Sequence, residues 1–177
     1  MAANKYVALV AGKLKEVIAT VISAGAGDAN KIVALDSTGH LDISVMPVGV
    51  AAEVVTAITS ENITAGALVN LYSNAGVLTI RNADATTNTK PAHGFVIAST
   101  TSPASATMYI FGQTNNFVTG LTIGTKYVLS KTTPGGVTDI ATFAGAQASG
   151  NIVQEIGTAL SATSVTTNQN QNYIEVA

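Results

Sequence analysis

The chain of 177 residues has no cysteine and no tryptophan, a single arginine (Arg81), and few charges of either sign. Without cysteine there is neither a disulfide framework nor a thiolate metal site, which suits an oxidising or a reducing compartment equally. Charged residues make up 10% of the chain, against about 25% in ordinary soluble domains. The net charge is −2. Lys5, Lys13, Lys15 and Lys31 are too dispersed to track a phosphate backbone, so direct nucleic-acid binding is not expected. Long hydrophobic runs are missing too. The apolar stretch Tyr6–Gly12 is too short for a signal-peptide core and is followed by Lys13 and Lys15. Val17–Gly27 falls short of the roughly 20 apolar residues that span a bilayer. Pro91–Thr125 is uncharged but broken by Asn, Gln, Ser, Thr, Gly and Pro. Neither a targeting segment nor a membrane helix is expected.

Thr, Ser, Asn, Ala and Gly fill the space that charge leaves. Such a surface does little to keep copies of a protein apart. It fits a chain that faces other protein over much of its surface, and it fits equally a Thr-rich β-protein. The length suits one ordinary domain, or one small domain with an arm.

From Glu53 onward the pattern is all-β. Short candidate strands cover Glu53–Ile58, Ala67–Tyr72, Val77–Arg81, Gly94–Ser99, Thr107–Phe111, Lys126–Ser130, Ile152–Ile156, Thr158–Ser161 and Tyr173–Val176. Turn-rich stretches separate them, as in a sandwich or barrel. Ala141–Ala148 is the one weak helical stretch, and the Gly and Ser around it favour a loop. Before Glu53, residues 5–22 pose a conflict. Leu14, Val17, Ile18, Val21 and Ile22 fit helical spacing, yet most of Val17–Ile22 is β-branched, which favours strands. Strand is the choice made here, with Ala11-Gly12 turning a hairpin. Residues 23–30 (SAGAGDAN) read as a flexible link. Residues 31–35 and 40–45 read as short extended runs joined by Asp36-Ser37-Thr38-Gly39, whose first Asp and last Gly suit a type I turn, and Pro47 ends the segment. Fully extended, Ser23–Val48 would reach about 85 Å at roughly 3.3 Å per residue. A compact domain of this length has a radius of gyration near ~16 Å. The segment therefore folds back or reaches a neighbour. The expected division is a hairpin and extended inter-subunit arm over 1–48 and a small β-barrel or sandwich domain over 49–177.

A faint internal repeat runs through the second part. ITAGALVNLYSNAGVLT from Ile63 is similar to LTIGTKYVLSKTTPGGVT from Leu121, and GFVIAST from Gly94 to GTALSAT from Gly157. Each copy is followed by a strand carrying Tyr109 or Tyr173. One small β-unit used twice is expected, the two pairing to close a barrel and remove exposed edges.

Little in the chain suggests chemistry. His40 sits beside a turn near Asp42, and His93 starts a strand after Pro91; either would need a positioned partner to act as acid or base. Gly25-Ala-Gly27-Asp28 lacks the Gly-Lys-Ser/Thr that opens a phosphate-binding helix. Asp28, Asp36 and Asp42 are spaced along an extended segment, whereas Ca²⁺ takes six to eight oxygens, several from one tight loop. Glu53, Glu61 and Asp84 form no evident carboxylate pair. No enzyme activity, cofactor or metal is expected.

The remaining puzzle is the arm. Leu35, Leu41, Ile43, Val45 and Met46 have no obvious core of their own, and burying each contributes about 1.5–3 kcal/mol. They pack either on their own β-domain or on a neighbouring subunit, where an arm can also add a strand to a sheet edge. The run SAGAGDANKIVALDSTGHLDISVMP resembles a segment that precedes a β-domain in structural proteins of tailed bacteriophages. With the Ala-Gly hairpin turn, the AHGFVIAS strand and the closing GLTIGTKYVLS…GGVT…VQEIGTALSAT region, it makes most of the chain similar to phage head decoration (capsid cement) proteins. The KIVAL…LDISVMP part also occurs in tail-fibre-like proteins. The resemblance implies a β-rich structural subunit, a homotrimer, made in the bacterial cytoplasm. It would bind the major capsid protein on the outside of an assembled head and brace it against packaged DNA, with no nucleic-acid or membrane partner. Lys31, Leu35, Asp36, Leu41, Ile43, Val45, Met46 and Pro47 are the expected inter-subunit or capsid contacts. A tail-fibre or receptor-binding component is the alternative.

Overall fold

The computed structural model describes residues 4–46, 52–143 and 147–177. Contacts divide the chain into two compact units, Met1–Ala51 and Ala52–Ala177.

The N-terminal unit begins with an antiparallel hairpin of β1 (Lys5–Val10) and β2 (Lys13–Ile18). Ala11 and Gly12 both have positive φ, 52° and 75°, the backbone of a two-residue turn whose twist matches the flanking strands. Strand holds over Lys13–Ile18 but not to the end of the β-branched run, since Thr20 makes only an isolated bridge and Val21 and Ile22 lie in a bend. Two parts of the arm differ from the sequence-based expectation. Residues 23–30 are a built turn: a 3-10 turn at Ala26–Asp28 is held by the Asp28 carboxylate, which accepts from Ala24 N at 2.6 Å. Residues 43–45 form a second 3-10 turn instead of an extended run, because Asp42 Oδ1 accepts from Ser44 N at 2.9 Å and pulls the backbone round. Between them the chain returns to the hairpin base. Thr20 N donates to Ile32 O and Ala34 N to Thr20 O, both at 2.9 Å, making a parallel bridge between Thr20 and Val33.

The C-terminal unit is nearly all β. Strands β3 (Val54–Thr59), β4 (Leu68–Asn74), β5 (Val77–Asn82), β6 (Gly94–Val96) and β7 (Ser105–Ile110) close a barrel in the order β3-β5-β4-β6-β7. Only β3 and β5 are parallel, through Ile58↔Thr79 and Thr59↔Ile80. A second sheet uses β8 (Thr114–Asn115), β9 (Lys126–Leu129), β10 (Val137–Asp139), β12 (Glu155–Ser161) and β13 (Ser164–Thr166), in the order β10-β9-β12-β13-β8. β11 (Ile152–Val153) pairs with β14 (Ile174–Glu175) as a small ribbon. A single α-helical turn, Ile140–Phe143, is capped by Asp139, whose carboxylate accepts from Thr142 N at 2.8 Å. Residues 144–146 of the weak helical stretch lie outside the described residues.

Three apolar clusters fill this unit. Val69, Ile80, Val96 and Met108 belong to the barrel cluster. Leu68, Phe95, Val128, Leu129, Phe143 and Ile156 belong to a second cluster contributed by both sheets. Leu121, Tyr127, Ala159 and Val165 form a third. In β4 the neighbours Leu68 and Val69 serve different clusters. A strand buried on both faces reads as a continuous apolar run, as this one does.

The repeat is real in its hydrogen bonds. In the second sheet β8, β9, β10, β12 and β13 take the places that β3, β4, β5, β6 and β7 take in the barrel. Gly66 and Gly124 both have positive φ, 84° and 78°. Gly66 N donates to Val96 O at 2.8 Å and Gly124 N to Ala159 O at 2.9 Å. Val96 N returns to Ala67 O at 3.1 Å and Ala159 N to Thr125 O at 3.0 Å. At both Gly94 and Gly157 an added Cβ would collide with a carbonyl oxygen of the next strand, that of Tyr109 or Thr166.

Two expectations about the repeat are corrected. The copies do not combine into one barrel: the first closes alone, while the second remains an open sheet. The reason lies after Asn115. There the chain leaves the β8 position, and Phe117 backs onto Gly66, its carbonyl lying where a Cβ on that glycine would sit. Asn115 fixes this departure, donating Nδ2–H to Gly66 O at 2.9 Å and accepting from Phe117 N at 3.1 Å. The continuation that would match the second half of β3 is therefore used to cover the barrel's own turn. Tyr173 is also no equivalent of Tyr109. Tyr109 lies in β7, whose counterpart is β13, whereas Tyr173 immediately precedes β14 in the separate ribbon.

Candidate functional site

The sequence-predicted contact residues fall on three features of the N-terminal unit. Lys31 Nζ pairs with Asp28 Oδ1 at 2.7 Å. This pair lines a surface pocket of about 350 Å³ with Thr20, Ser23, Val33, Ser44, Val45 and Met46. Ser23 N donates to Ser44 Oγ at 2.7 Å, which ties the two 3-10 turns together across that pocket. Lys31, with the Ala24 N–H, holds the Asp28 carboxyl below its ordinary range.

Asp36 builds the second feature. Its Oδ1 accepts from Thr38 N at 2.8 Å, Thr38 Oγ1 at 2.7 Å and His40 N at 3.0 Å. Gly39 N closes the turn on Asp36 O at 3.2 Å, placing the turn where the sequence puts it, with Asp first and Gly last. The donors from His40 and Thr38 hold the Asp36 carboxyl down at about 2. Leu35 and Leu41 flank this turn and are both exposed. Ile43 opens the last 3-10 turn, and Pro47 lies outside the described residues. The structure thus gathers Lys31, Val45 and Met46 at one pocket and sets Leu35, Asp36 and Leu41 on a separate turn.

The third feature was not singled out from the sequence. Directly opposed residues of an antiparallel pair share a face. The pairs Val7↔Glu16, Leu9↔Leu14 and Lys5↔Ile18 therefore place Val7, Leu9, Leu14 and Ile18 together on one side of the hairpin. These four side chains are between 57% and 77% exposed. The other side carries Tyr6, Ala8 and Val17, all half-buried, with Lys13 and Lys15; the Tyr6 hydroxyl accepts from Ile32 N at 3.3 Å. The sequence held no signal for this face, because Tyr6–Val10 is apolar at every position and does not separate the two sides of the strand. Among the described side chains of the N-terminal unit, none that is apolar is buried; Thr20 alone is.

Both histidines have structural surroundings. His40 is exposed, with Nδ1 at 3.0 Å from Thr38 Oγ1. His93 Nδ1 accepts from Leu71 N at 3.0 Å, and burial together with the nearby Arg81 holds its pKa below the ordinary 6.5. Arg81 stacks over Tyr72 at 4.1 Å, donates from Nε to Asn70 Oδ1 and reaches Thr89 O. Among the described residues, no three His, Cys, Asp or Glu side chains gather as a metal site. Asp28, Asp36 and Asp42 are each engaged in their own local turn. What the N-terminal unit offers is an exposed apolar hairpin face together with turns closed by their own aspartates.

No known protein family, curated protein or solved structure matches this chain.

Proposed function

We propose that the chain is a structural virion protein: a homotrimeric cement subunit that binds the major capsid protein on the outer surface of an assembled phage head and stabilises it against internal DNA pressure. The carrying observation is the N-terminal unit, which exposes Val7, Leu9, Leu14 and Ile18 on one face and Leu35 and Leu41 on its arm. Contiguous apolar surface of this kind marks a site of association. The resemblance of SAGAGDANKIVALDSTGHLDISVMP to phage structural segments supports the identity of the partner. The low charge of the chain agrees, since a neutral Thr-rich surface is compatible with dense packing.

The mechanism is mass action. A protein that binds only the assembled shell stabilises that shell by its binding free energy. Three linked copies act at high effective concentration once one of them has bound. The subunit needs no catalysis and no cofactor for this role.

Copy number per virion tests the reading, measured by quantitative mass spectrometry against the major capsid protein. A count comparable to the capsid subunit is expected. A few copies per particle would overturn it in favour of a tail-fibre or receptor-binding component. As a second test, deleting residues 1–48 is expected to abolish binding to heads, and undiminished decoration would remove the arm from the mechanism.

A further inference from the structure

Arg81 is the only arginine of the chain, and several parts of the C-terminal unit hold its guanidinium in one place. In the β4–β5 ladder Asn70 stands directly opposite Arg81, and Tyr72 is its diagonal neighbour. Both positions are within reach of a long side chain. Asn70 is only 2% exposed. Its Nδ2–H donates to Pro91 O at 2.7 Å, which fixes the amide with Oδ1 as the acceptor toward Arg81. Arg81 Nε donates to that Oδ1 at 2.9 Å, and Nη2 donates to Thr89 O at 2.6 Å. Cζ lies over the Tyr72 ring, 4.1 Å from its centroid.

All of these partners are neutral. Among the described residues Arg81 enters no ion pair, and its positive charge acts on the neighbouring His93. Arg81 is half-buried, so its charge has given up part of its water without gaining an anion. The two hydrogen bonds use the Nε–Nη2 edge of the guanidinium plane. A tie between β5 and the loop carrying Thr89 needs only that edge. The Nη1–Nη2 edge meets no acceptor among the described residues. Its two parallel N–H groups match the two oxygens of a carboxylate, the strongest pairing a guanidinium makes. We infer that Arg81 is the centre of a carboxylate-binding site, its Nη1–Nη2 edge receiving the ligand while Asn70, Tyr72 and Thr89 O act as positioning groups. One fixed cation in a chain of dispersed lysines suits a singly charged carboxylate better than a polyphosphate. The carboxylate belongs to an acidic side chain of a protein or to a free small acid, and the recognition chemistry is the same. The inference does not depend on the reading of the N-terminal unit.

A lone arginine makes the test clean, because its side-chain N–H resonances need no assignment. The full-length, nitrogen-15-labelled chain is titrated with sodium acetate at constant ionic strength, chloride making up the difference. The Arg81 Nη signals are expected to shift and saturate. A shift that stays linear, or the same shift with chloride alone, would overturn the site. Arg81→Lys keeps a positive charge but loses the planar fork. It is expected to bind acetate about tenfold more weakly, read from the backbone signals of Tyr72 and Thr89, with its thermal transition retained. Unchanged acetate binding by that variant would overturn the role of Arg81. Should the variant fail to fold, the wild-type titration decides alone. A blocked peptide, acetyl-Ala-Glu-Ala-amide, separates the two sources. Tighter binding than acetate supports a protein side chain as the ligand, and equal binding supports a free small acid. Inorganic phosphate binding more tightly than either would overturn the carboxylate assignment.

Discussion

Gly157 sits against the carbonyl of Thr166, which belongs to the backbone and cannot rotate away as a flexible side chain could. Gly157→Ala should destabilise the C-terminal unit by about 1–3 kcal/mol or more, read from urea unfolding. Gly27→Ala meets open space at an ordinary φ and should be near neutral. Gln154 makes the complementary case. Its buried amide accepts from Ala92 N at 2.7 Å and donates to Ala92 O at 2.8 Å. Gln154→Leu would leave both groups without a partner and should cost on the order of 3 kcal/mol. His93 adds a dependence on pH. Its Nδ1 must be unprotonated to accept from Leu71 N, and its pKa is depressed by burial and then by Arg81. The neutral form is therefore favoured by folding, so its contribution is full above pH 6.5 and lost as pH falls through the lower folded value. Unfolding midpoints should drop between pH 7.5 and pH 5, and His93→Ala should flatten that drop.

Asn115 controls whether a strand continues or departs. Asn115→Ala should cost about 2 kcal/mol, since Gly66 O and Phe117 N lose their partner inside the fold. Hydrogen exchange should quicken at Phe117 ahead of the barrel strands. This behaviour was hidden in the sequence, because a two-residue strand such as Thr114–Asn115 is too short to show alternation. Ser164–Thr166 escaped notice for the same reason, whereas Val137–Asp139 was signalled only as the second strand of the repeat that ends in GGVT. Strands of four or more residues with at least three apolar positions were legible: Val54–Thr59, Leu68–Asn74, Val77–Asn82 and Lys126–Leu129 each lie within two residues of expectation. Gly94–Ser99 was overextended because Ile97 looks like a strand residue although the ladder stops at Val96. In the arm, Asp36 and Gly39 announced their turn, whereas Asp28 and Asp42 concealed theirs. A lone aspartate does not say which nearby N–H it will accept from. The hairpin face was not legible, because Tyr6–Val10 is a continuous apolar run and gives no alternation to tell one side from the other.

The two units differ in what holds them. Residues 52–177 contain three buried apolar clusters, while the described part of the N-terminal unit contains none. A fragment of residues 52–177 should therefore keep a cooperative thermal transition within a few degrees of the full chain, followed by circular dichroism. A fragment of residues 1–51 should show none when dilute. The departure of the chain at Asn115 also bears on the order of synthesis. All five barrel strands lie between Val54 and Ile110 and precede the segment that covers Gly66. N-terminal parts of a nascent chain are free to fold first. The barrel can thus close while the rest is still being translated, and Phe117 then meets a finished turn. The second sheet grows outward from that mould, so the ribosome delivers the pieces in the sequence in which they can be assembled.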